Sequence, residues 1–427
     1  MRFNTLNEWL DWQLLLHFKS IDLGLERVSA VAARLNIGKI ANRVITVAGT
    51  NGKGSTVASY EAWLHNAGYT VASYTSPHLL QYNERIKFDR EMATDEMLCT
   101  AFEAIDQARG DIALTYFEFG TLAALWLMQQ RQPDFAILEV GLGGRLDAVN
   151  IIDADLVHLT SIGIDHQSWL GDTREKIGYE KAGVLREGIP VICNDPEPPQ
   201  SVLNEINRLH CRSLQYQRDF SMQKIEPECY MWKGLDLELK VMPVLPGTHQ
   251  VQNLAGVVAG LNLLLDRDQI DLKNINNFFK GTELMGRFQQ VETALPADVY
   301  VDVGHNHDAA KALAENLSIL KPDAGRVVVL LGMLDDKESL NFVDELRTIV
   351  DDWWLLTLDC DRGLKAEQLQ QRISTCVLVD TCFDSVEHSL EHALSSLTNQ
   401  DIMLVTGSFV TVELFLRAIS KTDTSLV

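Results

Sequence analysis

A glycine-rich turn between an apolar strand and a helix constrains the fold of this chain more than any other segment. Residues 49–56 read GTNGKGST, after the apolar run 44–48 and before a segment with helical spacing. Such a turn aims backbone N–H groups at one point, where the positive end of the helix dipole also attracts phosphate. Lys53 would add a full positive charge, and Ser55 or Thr56 a hydroxyl for magnesium. The segment therefore predicts an α/β unit with a nucleotide triphosphate site.

The turn departs from the standard phosphate-loop pattern G-x-x-x-x-G-K-[ST] at two places. Val47 stands where the first glycine belongs, and Gly54 separates Lys53 from Ser55. An ordinary tight turn between a strand and a helix therefore stays open as the alternative, and the decision needs the rest of the chain.

Short apolar runs alternate with helical segments in two stretches, which indicates parallel strands joined by crossover helices. The predicted strands of the first stretch are 43–49, 69–75, 135–141, 156–162 and 190–194, and its predicted helices are 54–67, 94–108, 117–131 and 173–186. A hairpin near 220–243 and a helix over 250–265 follow. The predicted strands of the second stretch are 299–303, 326–332, 353–358, 376–380 and 401–405, and its predicted helices are 308–320, 337–350, 364–372, 384–397 and 409–419. We therefore expect two α/β domains, residues 1–285 and 286–427, with a ligand in the cleft between them.

Net charge and cysteine content indicate which partners this chain can bind and which compartment suits it. The net charge of −22 disfavours nucleic acid and anionic membranes as partners, since no local basic patch offsets it. The seven cysteines are odd in number and form no C-x-x-C pair, which suits a reducing compartment. No signal peptide and no apolar window of transmembrane length stands out. A cytoplasmic protein is expected, and a monomer, because no heptad pattern or long apolar edge calls for a partner.

Polar residues follow several predicted strands, at the edge where open α/β sheets bind ligands. Glu139 is a carboxylate in an apolar strand, which is costly unless it is paired or metal-bound. Ser76 and His166 also follow strands, although a plain Ser-Pro turn and a satisfied turn histidine are the simpler interpretations. Asp302 could hold a ribose or order a nucleophile, and Asp147 could bind a ring-bearing substrate or cap a turn. Since no zinc-like spacing occurs, magnesium with ATP is the more economical hypothesis.

Taken together, ten segments resemble the folylpolyglutamate synthases and the bacterial bifunctional dihydrofolate synthase/folylpolyglutamate synthases of the Mur ligase superfamily. They are GTNGKGS (49–55), TSPHL (75–79), ERI (84–86), EVGLGGRLDAVN (139–150), DHQSWLG (165–171), EKAG (180–183), HQVQNLA (249–255), GRF (286–288), DVGHN (302–306) and GMLDDKE (332–338). The resemblance implies an N-terminal P-loop ATPase domain of the Mur ligase type. It also implies a smaller, Rossmann-like C-terminal α/β domain that closes over the ATP and glutamate site.

The resemblance also implies roles for individual residues. The implied ATP contacts are Thr50, Asn51, Gly52, Lys53, Gly54, Ser55, Asn253, Arg287 and Asp302. The implied metal ligands are Ser76, Glu139, His166 and Lys181, and the implied catalytic residues are Lys53, Glu139, His166 and Lys181. The implied dihydropteroate and folate positions are Ser73, Tyr74, Thr75, Thr115, Leu146, Asp147 and Ala148. Lys181 would be carbamylated, because an ammonium beside metal ions is repulsive whereas a carbamate behaves like a carboxylate.

The function implied is an ATP-dependent amide ligase. It would join L-glutamate to dihydropteroate, and to the γ-carboxyl of folates, through an acyl phosphate. The cofactors would be ATP and Mg²⁺, with room for a second divalent ion, and the partners small-molecule substrates alone. Three alternatives stay open: folylpolyglutamate synthase activity only, a Mur-type cell-wall amino-acid ligase, and a nucleotide-gated binding protein without ligase activity. The TSPHL and LDA segments speak against the cell-wall ligase.

Two departures from the family pattern concern the second domain. Met285 replaces the proline of the usual Pro-Gly-Arg, which we expect to loosen the hinge. Val303, Gly304 and His307 alter the usual Asp-Gly-Ala-His-Asn-Pro, while Asp302 and its neighbours His-Asn persist. The ATP role of Asp302 is therefore kept.

Overall fold

The structure is a computed structural model. It describes residues 2–17, 19, 21–265, 276, 279–282, 284–321 and 325–424, with side chains up to residue 421. The chain divides into two compact units. The first comprises Met1–Gly163, Gln167–Leu245 and Gln250–Glu283, and the second comprises Ile164–His166, Pro246–His249 and Leu284–Val427.

The first unit contains an eight-stranded sheet that is mainly parallel. Its strands are β1 (Arg43–Ala48), β2 (Val71–Tyr74), β3 (Ile86–Phe88), β4 (Glu91–Met92), β5 (Phe135–Glu139), β6 (Leu156–Leu159), β7 (Pro190–Cys193) and β8 (Arg212–Gln215). The spatial order is β4-β3-β2-β5-β1-β6-β7-β8, with β3 and β4 antiparallel to their neighbours. Strand β1 lies between β5 and β6 and is buried after its first residue. A continuous apolar run is typical of such a parallel strand, covered on both faces.

Helices cover this sheet and a smaller one. They are α1 (Leu6–Leu16), α2 (Glu26–Arg34), α3 (Lys53–Asn66), α4 (Asp95–Arg109), α5 (Tyr116–Arg131), α6 (Gln167–Leu170), α7 (Arg174–Lys181), α8 (Gln200–Arg208) and α9 (Thr248–Leu264). The predicted hairpin has a third strand, and β9 (Phe220–Glu226), β10 (Cys229–Gly234) and β11 (Leu237–Val241) form an antiparallel sheet. One apolar core joins α1, α2, α4 and α5 to the large sheet, and a second joins α3, α9 and the small sheet to it.

The second unit is a six-stranded sheet with helices and its own apolar core. Its strands are β12 (Gln289–Val291), β13 (Asp298–Val301), β14 (Val327–Leu331), β15 (Asp352–Leu356), β16 (Thr381–Phe383) and β17 (Ile402–Thr406). The order is β12-β13-β17-β14-β15-β16, and β12 alone is antiparallel among these strands. Its helices are α10 (His307–Leu320), α11 (Ser339–Leu346), α12 (Ala366–Ile373), α13 (Val386–Ser396) and α14 (Phe409–Thr424).

The strand predicted at 376–380 is wrong, whereas the other predicted strands and helices are present. The edge strand is β16, which starts later and pairs Thr381 with Trp354. Asp380 sets this register, because its N–H donates to the Trp353 carbonyl and its carboxylate accepts from the Trp353 N–H. The apolar run before it stays outside the sheet, and Leu378 is 88% exposed.

Two further observations bear on the sequence-based expectations. None of the helices in the described part of the chain is both long and apolar enough to cross a bilayer. All seven cysteines, each of which lies in a described segment, carry free thiols.

Candidate active site

The glycine-rich loop joins the end of β1 to the start of α3, and two of its glycines are required by their backbone and their neighbours. Gly49 has a φ of +153° and Gly52 a φ of +85°, which disfavour residues with a side chain. A Cβ on Gly49 would overlap the hydroxyl oxygen of Thr160. A Cβ on Gly52 would overlap the amide of Asn253, lying 2.7 Å from its Nδ2. The loop thus brings bare backbone to the first turn of α3, whose N–H groups lack partners within the helix.

A clamp on Thr50 holds this loop against the segment that follows β6. The Thr50 N–H donates to the Ser161 carbonyl at 2.8 Å. The Thr50 hydroxyl donates to the Gly163 carbonyl at 3.1 Å and accepts from the Gly163 N–H at 3.0 Å. Because the N–H and the hydroxyl of Thr50 both have protein partners, this residue fixes the shape of the loop.

Two ammonium groups converge on the carbonyl oxygens of the loop. Lys53 Nζ donates to the Gly49 and Thr50 carbonyls at 3.2 and 3.1 Å. Lys181, at the last position of α7, is buried, and its Nζ donates to the Gly49 carbonyl at 2.7 Å. Like charges this close repel each other, so a bound anion or a loss of charge at one amine would stabilise the arrangement. The loop is therefore electrostatically suited to a polyphosphate.

Ser76 and Glu139 come together at the ends of the neighbouring strands β2 and β5. Glu139 is buried in the register position opposite Val47, and its Oε2 accepts from the Ser76 N–H at 3.3 Å. A buried carboxylate offers oxygen ligands of the kind that Mg²⁺ prefers. Among the residues that the structure describes, no three His, Cys, Asp or Glu side chains group as a metal cluster. The side-chain donor atoms of Glu139 and Ser76 are oxygens, which are the ligands that a hard cation prefers.

Asp147 caps the turn that follows β5. Its carboxylate accepts from the Leu142 N–H at 2.8 Å and from the Val149 N–H at 2.9 Å. Burial raises the pKa of this carboxyl to about 6, against the lowering effect of those N–H groups and of the Lys53 charge. The neighbouring Leu146 exposes 41% of its surface. The turn thus presents an apolar side chain beside a carboxyl that binds a proton more readily than usual.

Other positions predicted for the substrate have partners inside the protein. The Ser73 hydroxyl is buried and donates to Glu61 at 2.8 Å. Thr115 caps α5, because its hydroxyl accepts from the Glu118 N–H at 3.2 Å. The Tyr74 hydroxyl accepts from Thr121, and burial raises the pKa of this phenol to about 12. These contacts fix the side chains of Ser73, Thr115 and Tyr74 within the first unit.

In the second unit, Asp302 lies at the carboxyl edge of the sheet, after β13. Its carboxylate accepts from the Phe288 N–H at 2.7 Å and the Gly304 N–H at 2.6 Å. Burial raises the pKa of Asp302, and the adjacent Arg287 charge opposes that rise. The Arg287 guanidinium also lies 5.4 Å from the centre of the Phe409 ring. The predicted pair Arg287 and Asp302 is thus brought together.

Residues 164–166, which the second unit includes, form a charged cluster with two of its loops. Asp165 contacts Lys337 Nζ at 2.6 Å, His305 Nε2 at 3.4 Å and Asn306 Nδ2 at 3.3 Å. Burial favours the protonated carboxyl, but His305, His166 and Lys337 hold the pKa of Asp165 well below its usual range. The adjacent His166 has a φ of +50°. The cluster thus fixes the backbone that carries this predicted metal ligand.

Comparisons with known families decide the assignment. Residues 47–261 match the model of the Mur ligase middle domain, and residues 286–409 match that of the Mur ligase, glutamate ligase domain. The chain belongs to the Mur ligase family. The predicted fold class is confirmed, and so is the expectation of an ATP-dependent ligase.

Within the Mur ligase family, this chain is similar to individual proteins of known name and structure. The dihydrofolate synthase/folylpolyglutamate synthase of Escherichia coli is 41% identical over 96% of this chain and 94% of its own. The structure of E. coli FolC in complex with DHPP and ADP is 39% identical, with a TM-score of 0.90, over 98% of this chain and 99% of that one. A bifunctional folylpolyglutamate synthase/dihydrofolate synthase with Mn, AMPPNP and L-glutamate bound is 38% identical, with a TM-score of 0.88, over 98% of both chains. These similarities confirm the resemblance inferred from the motifs.

Three features of this Mur ligase site escaped the sequence analysis. One is the clamp of segment 160–163 on the loop, and another is the buried carboxylate Glu61 that holds Ser73. The third is a set of ion pairs in which Arg27 contacts Asp22 at 2.6 Å and Glu118 at 3.1 Å. The clamp joins the segments that follow β1 and β6, and the ends of adjacent parallel strands lie close together. Nothing in the local sequence pattern marks Glu61 or the ion pairs of Arg27.

Proposed function

We propose that this Mur ligase joins L-glutamate to dihydropteroate, and to the γ-carboxyl of folates, with cleavage of ATP to ADP and phosphate. The observation that carries the proposal is the convergence of Lys53 and Lys181 on the backbone of the glycine loop at the start of α3. The named relatives support it, since they are dihydrofolate and folylpolyglutamate synthases that bind ADP or AMPPNP, DHPP and L-glutamate.

The family resemblance implies a reaction in two steps. A carboxylate oxygen of the acceptor attacks the γ-phosphorus of ATP, and ADP leaves with the electron pair of the cleaved bond. The amine of L-glutamate then attacks the resulting acyl phosphate at its carbonyl carbon, loses a proton and expels phosphate. Lys53 and the loop N–H groups stabilise the charge on the phosphoryl oxygens, and they hold the reactants in place.

A divalent cation and the nucleotide have proposed contacts. Ser76, Glu139, His166 and a carbamylated Lys181 would hold Mg²⁺, which neutralises phosphate charge when bound. The repulsion between two ammonium groups at Gly49 supports the carbamate, because carbamylation removes one positive charge. Beyond the loop residues Thr50 to Ser55, we propose Asn253, Arg287 and Asp302 as ATP contacts. The pterin would contact Ser73, Tyr74, Thr75, Thr115, Leu146, Asp147 and Ala148.

The organisation of the protein is proposed on the same basis. Residues 1–285 form the ATP-binding ligase domain, and residues 286–427 form the C-terminal domain. The free thiols support a cytoplasmic location. The protein would act on small molecules as a monomer, without nucleic acid or membrane as a partner.

Phosphate release tests this function. The purified chain, with ATP, Mg²⁺ and L-glutamate, is given dihydropteroate, tetrahydrofolate or a uridine-linked cell-wall acceptor. We expect release that matches amide formation with each of the first two acceptors, and none with the third. Turnover with tetrahydrofolate alone would leave only folylpolyglutamate synthase activity, and turnover with the uridine-linked acceptor or without any acceptor would refute the proposal. Replacing Lys53 with alanine should slow this release. Lys233→Ala is the matched control, because Lys233 is an exposed lysine paired with Glu238.

A further inference from the structure

A buried polar cluster lies under helix α9, and the proposed reaction makes no use of it. The Tyr60 hydroxyl and His158 Nδ1 form a hydrogen bond of 3.1 Å, and both side chains are fully buried. Burial lowers the pKa of His158 to about 3, so the imidazole is neutral at pH 7. Asn194 is the third member, and its side chain and that of His158 each lie within 2.7 Å of a Cβ built on Gly256. The cluster belongs entirely to the first unit.

Two glycines of α9, one helical turn apart, allow this helix to approach the cluster. A Cβ on Gly256 would lie 2.7 Å from His158 Cε1 and 2.7 Å from Asn194 Cγ. A Cβ on Gly260 would overlap the Tyr60 hydroxyl oxygen and lie 3.0 Å from Tyr60 Cζ. Glycine in the middle of a helix lowers helix stability by about 1 kcal/mol relative to alanine. At these two positions a side chain would instead overlap the cluster, so glycine is favoured despite that cost.

Hydrogen bonds fix where α9 lies along its own axis. Asn194 Nδ2 donates to the Gln252 carbonyl at 2.8 Å, and Gln252 Nε2 donates to the Asn194 carbonyl at 2.6 Å. The next residue along the helix is Asn253, whose amide would overlap any side chain at Gly52. The depth and the axial position of α9 therefore decide where the Asn253 amide lies against the nucleotide loop.

We propose that Tyr60, His158 and Asn194 are positioning residues for the nucleotide site, which act by holding α9 so that Asn253 lies against Gly52. Gly256 and Gly260 are the matching surface on the helix. Tyr60 lies on α3, and His158 lies on β6 in the register position opposite Val47. The proposed effect of the cluster on Asn253 passes through α9, which Asn194 bonds directly at Gln252. The inference rests on the proposed function only in that the glycine loop binds a nucleotide.

Three variants test this inference: Gly260→Ala, Tyr60→Phe and the two combined. Gly260→Ala adds a methyl group where α9 meets the Tyr60 hydroxyl, and Tyr60→Phe removes that hydroxyl. The added methyl group of Gly260→Ala displaces α9 from the Tyr60 hydroxyl, and we expect ADP to bind about tenfold or more weakly, a change typical of an over-packed site. In the double variant the methyl occupies the place of the missing hydroxyl, and ADP affinity returns toward that of the parent chain. Asn194→Ala, which removes one bond to Gln252, should weaken ADP binding about fivefold, as one buried hydrogen bond implies.

The measurement is calorimetric titration with ADP and Mg²⁺, and separately with dihydropteroate, below the unfolding temperature of each variant. A positioning role changes the ADP dissociation constant and leaves that of dihydropteroate unchanged, whereas general loosening changes both. Asn262→Ala is the control on the same helix, because its side chain donates to the Val258 carbonyl of α9 itself. Unchanged ADP affinity in Gly260→Ala and Asn194→Ala would overturn the inference. A parent chain that does not bind ADP would instead overturn the proposed function.

Discussion

Gly52→Ala tests the architecture of the nucleotide loop at its tightest point. Gly52 has a φ of +85°, and the added methyl group would overlap Asn253 Oδ1 and lie 2.7 Å from its Nδ2. The Asn253 amide is not free to swing away without cost, because its Nδ2 donates to Gln250 Oε1 at 3.2 Å. We therefore expect the loop or the asparagine to shift.

Two energies add in this variant, and they can be separated. The left-handed backbone costs an ordinary residue about 1–2 kcal/mol wherever it occurs. The overlap with Asn253 costs a further 1–3 kcal/mol or so, which is the usual range for over-packing. The second energy acts at the nucleotide loop, and it corresponds to a dissociation constant for ADP about 5- to 150-fold higher.

Gly68→Ala is the matched control for this variant. Gly68 follows α3 with a φ of +94°, and no atom lies within 4 Å of an added Cβ. It should lower the free energy of unfolding by about 1–2 kcal/mol and leave ADP affinity unchanged. Calorimetric titration with ADP and Mg²⁺ gives the affinities, and urea unfolding gives the stabilities. Equal ADP affinities for Gly52→Ala and Gly68→Ala would refute the reasoning.

Three further outcomes are expected. Lys53→Ala keeps the fold by circular dichroism but slows phosphate release by roughly 10²–10³-fold, as the loss of a transition-state donor does; near-normal turnover would contradict its phosphate role. Glu139→Gln weakens Mn²⁺ binding, followed by paramagnetic resonance, by at least the 10–100-fold or so typical of an outer-shell partner; unchanged binding would remove Glu139 from the metal site. The folded-state pKa of Asp147, about 6, lies above the ordinary 3.8. The protonated carboxyl therefore stabilises the folded state at low pH. The free energy of unfolding should fall by up to about 3 kcal/mol as pH rises from about 4 through 6. Urea unfolding should show that loss in the parent chain and not in Asp147→Asn, and parallel pH profiles would refute it.

The parts of the fold that the sequence predicts are those set by local pattern. Continuous apolar runs marked the parallel strands, and the glycine loop was found because its constraint is local: Gly52 needs a left-handed backbone whatever surrounds it. The apolar run at 376–380 does not predict the edge strand, because Asp380 fixes the register through contacts with Trp353. A hydrophobic pattern carries no information about such a contact.

The parts of the site that the sequence does not predict depend on contacts between distant residues. Thr50 and Gly163 are 113 positions apart, and their pairing follows only once β1 and β6 are known to be neighbours. Asn253 entered the prediction through the family resemblance alone, since a helical asparagine carries no local mark of what it faces. The charge of Lys181 next to Gly49 likewise became visible only in the folded chain.

The clamp on Thr50 links hydrogen exchange at the Gly163 amide to the state of the nucleotide loop. The Gly163 amide proton is held by the Thr50 hydroxyl, so its exchange with deuterated solvent slows or quickens as the loop tightens or relaxes. A single glycine resonance, remote in sequence from the loop, can therefore register ligand occupancy without any label on the nucleotide.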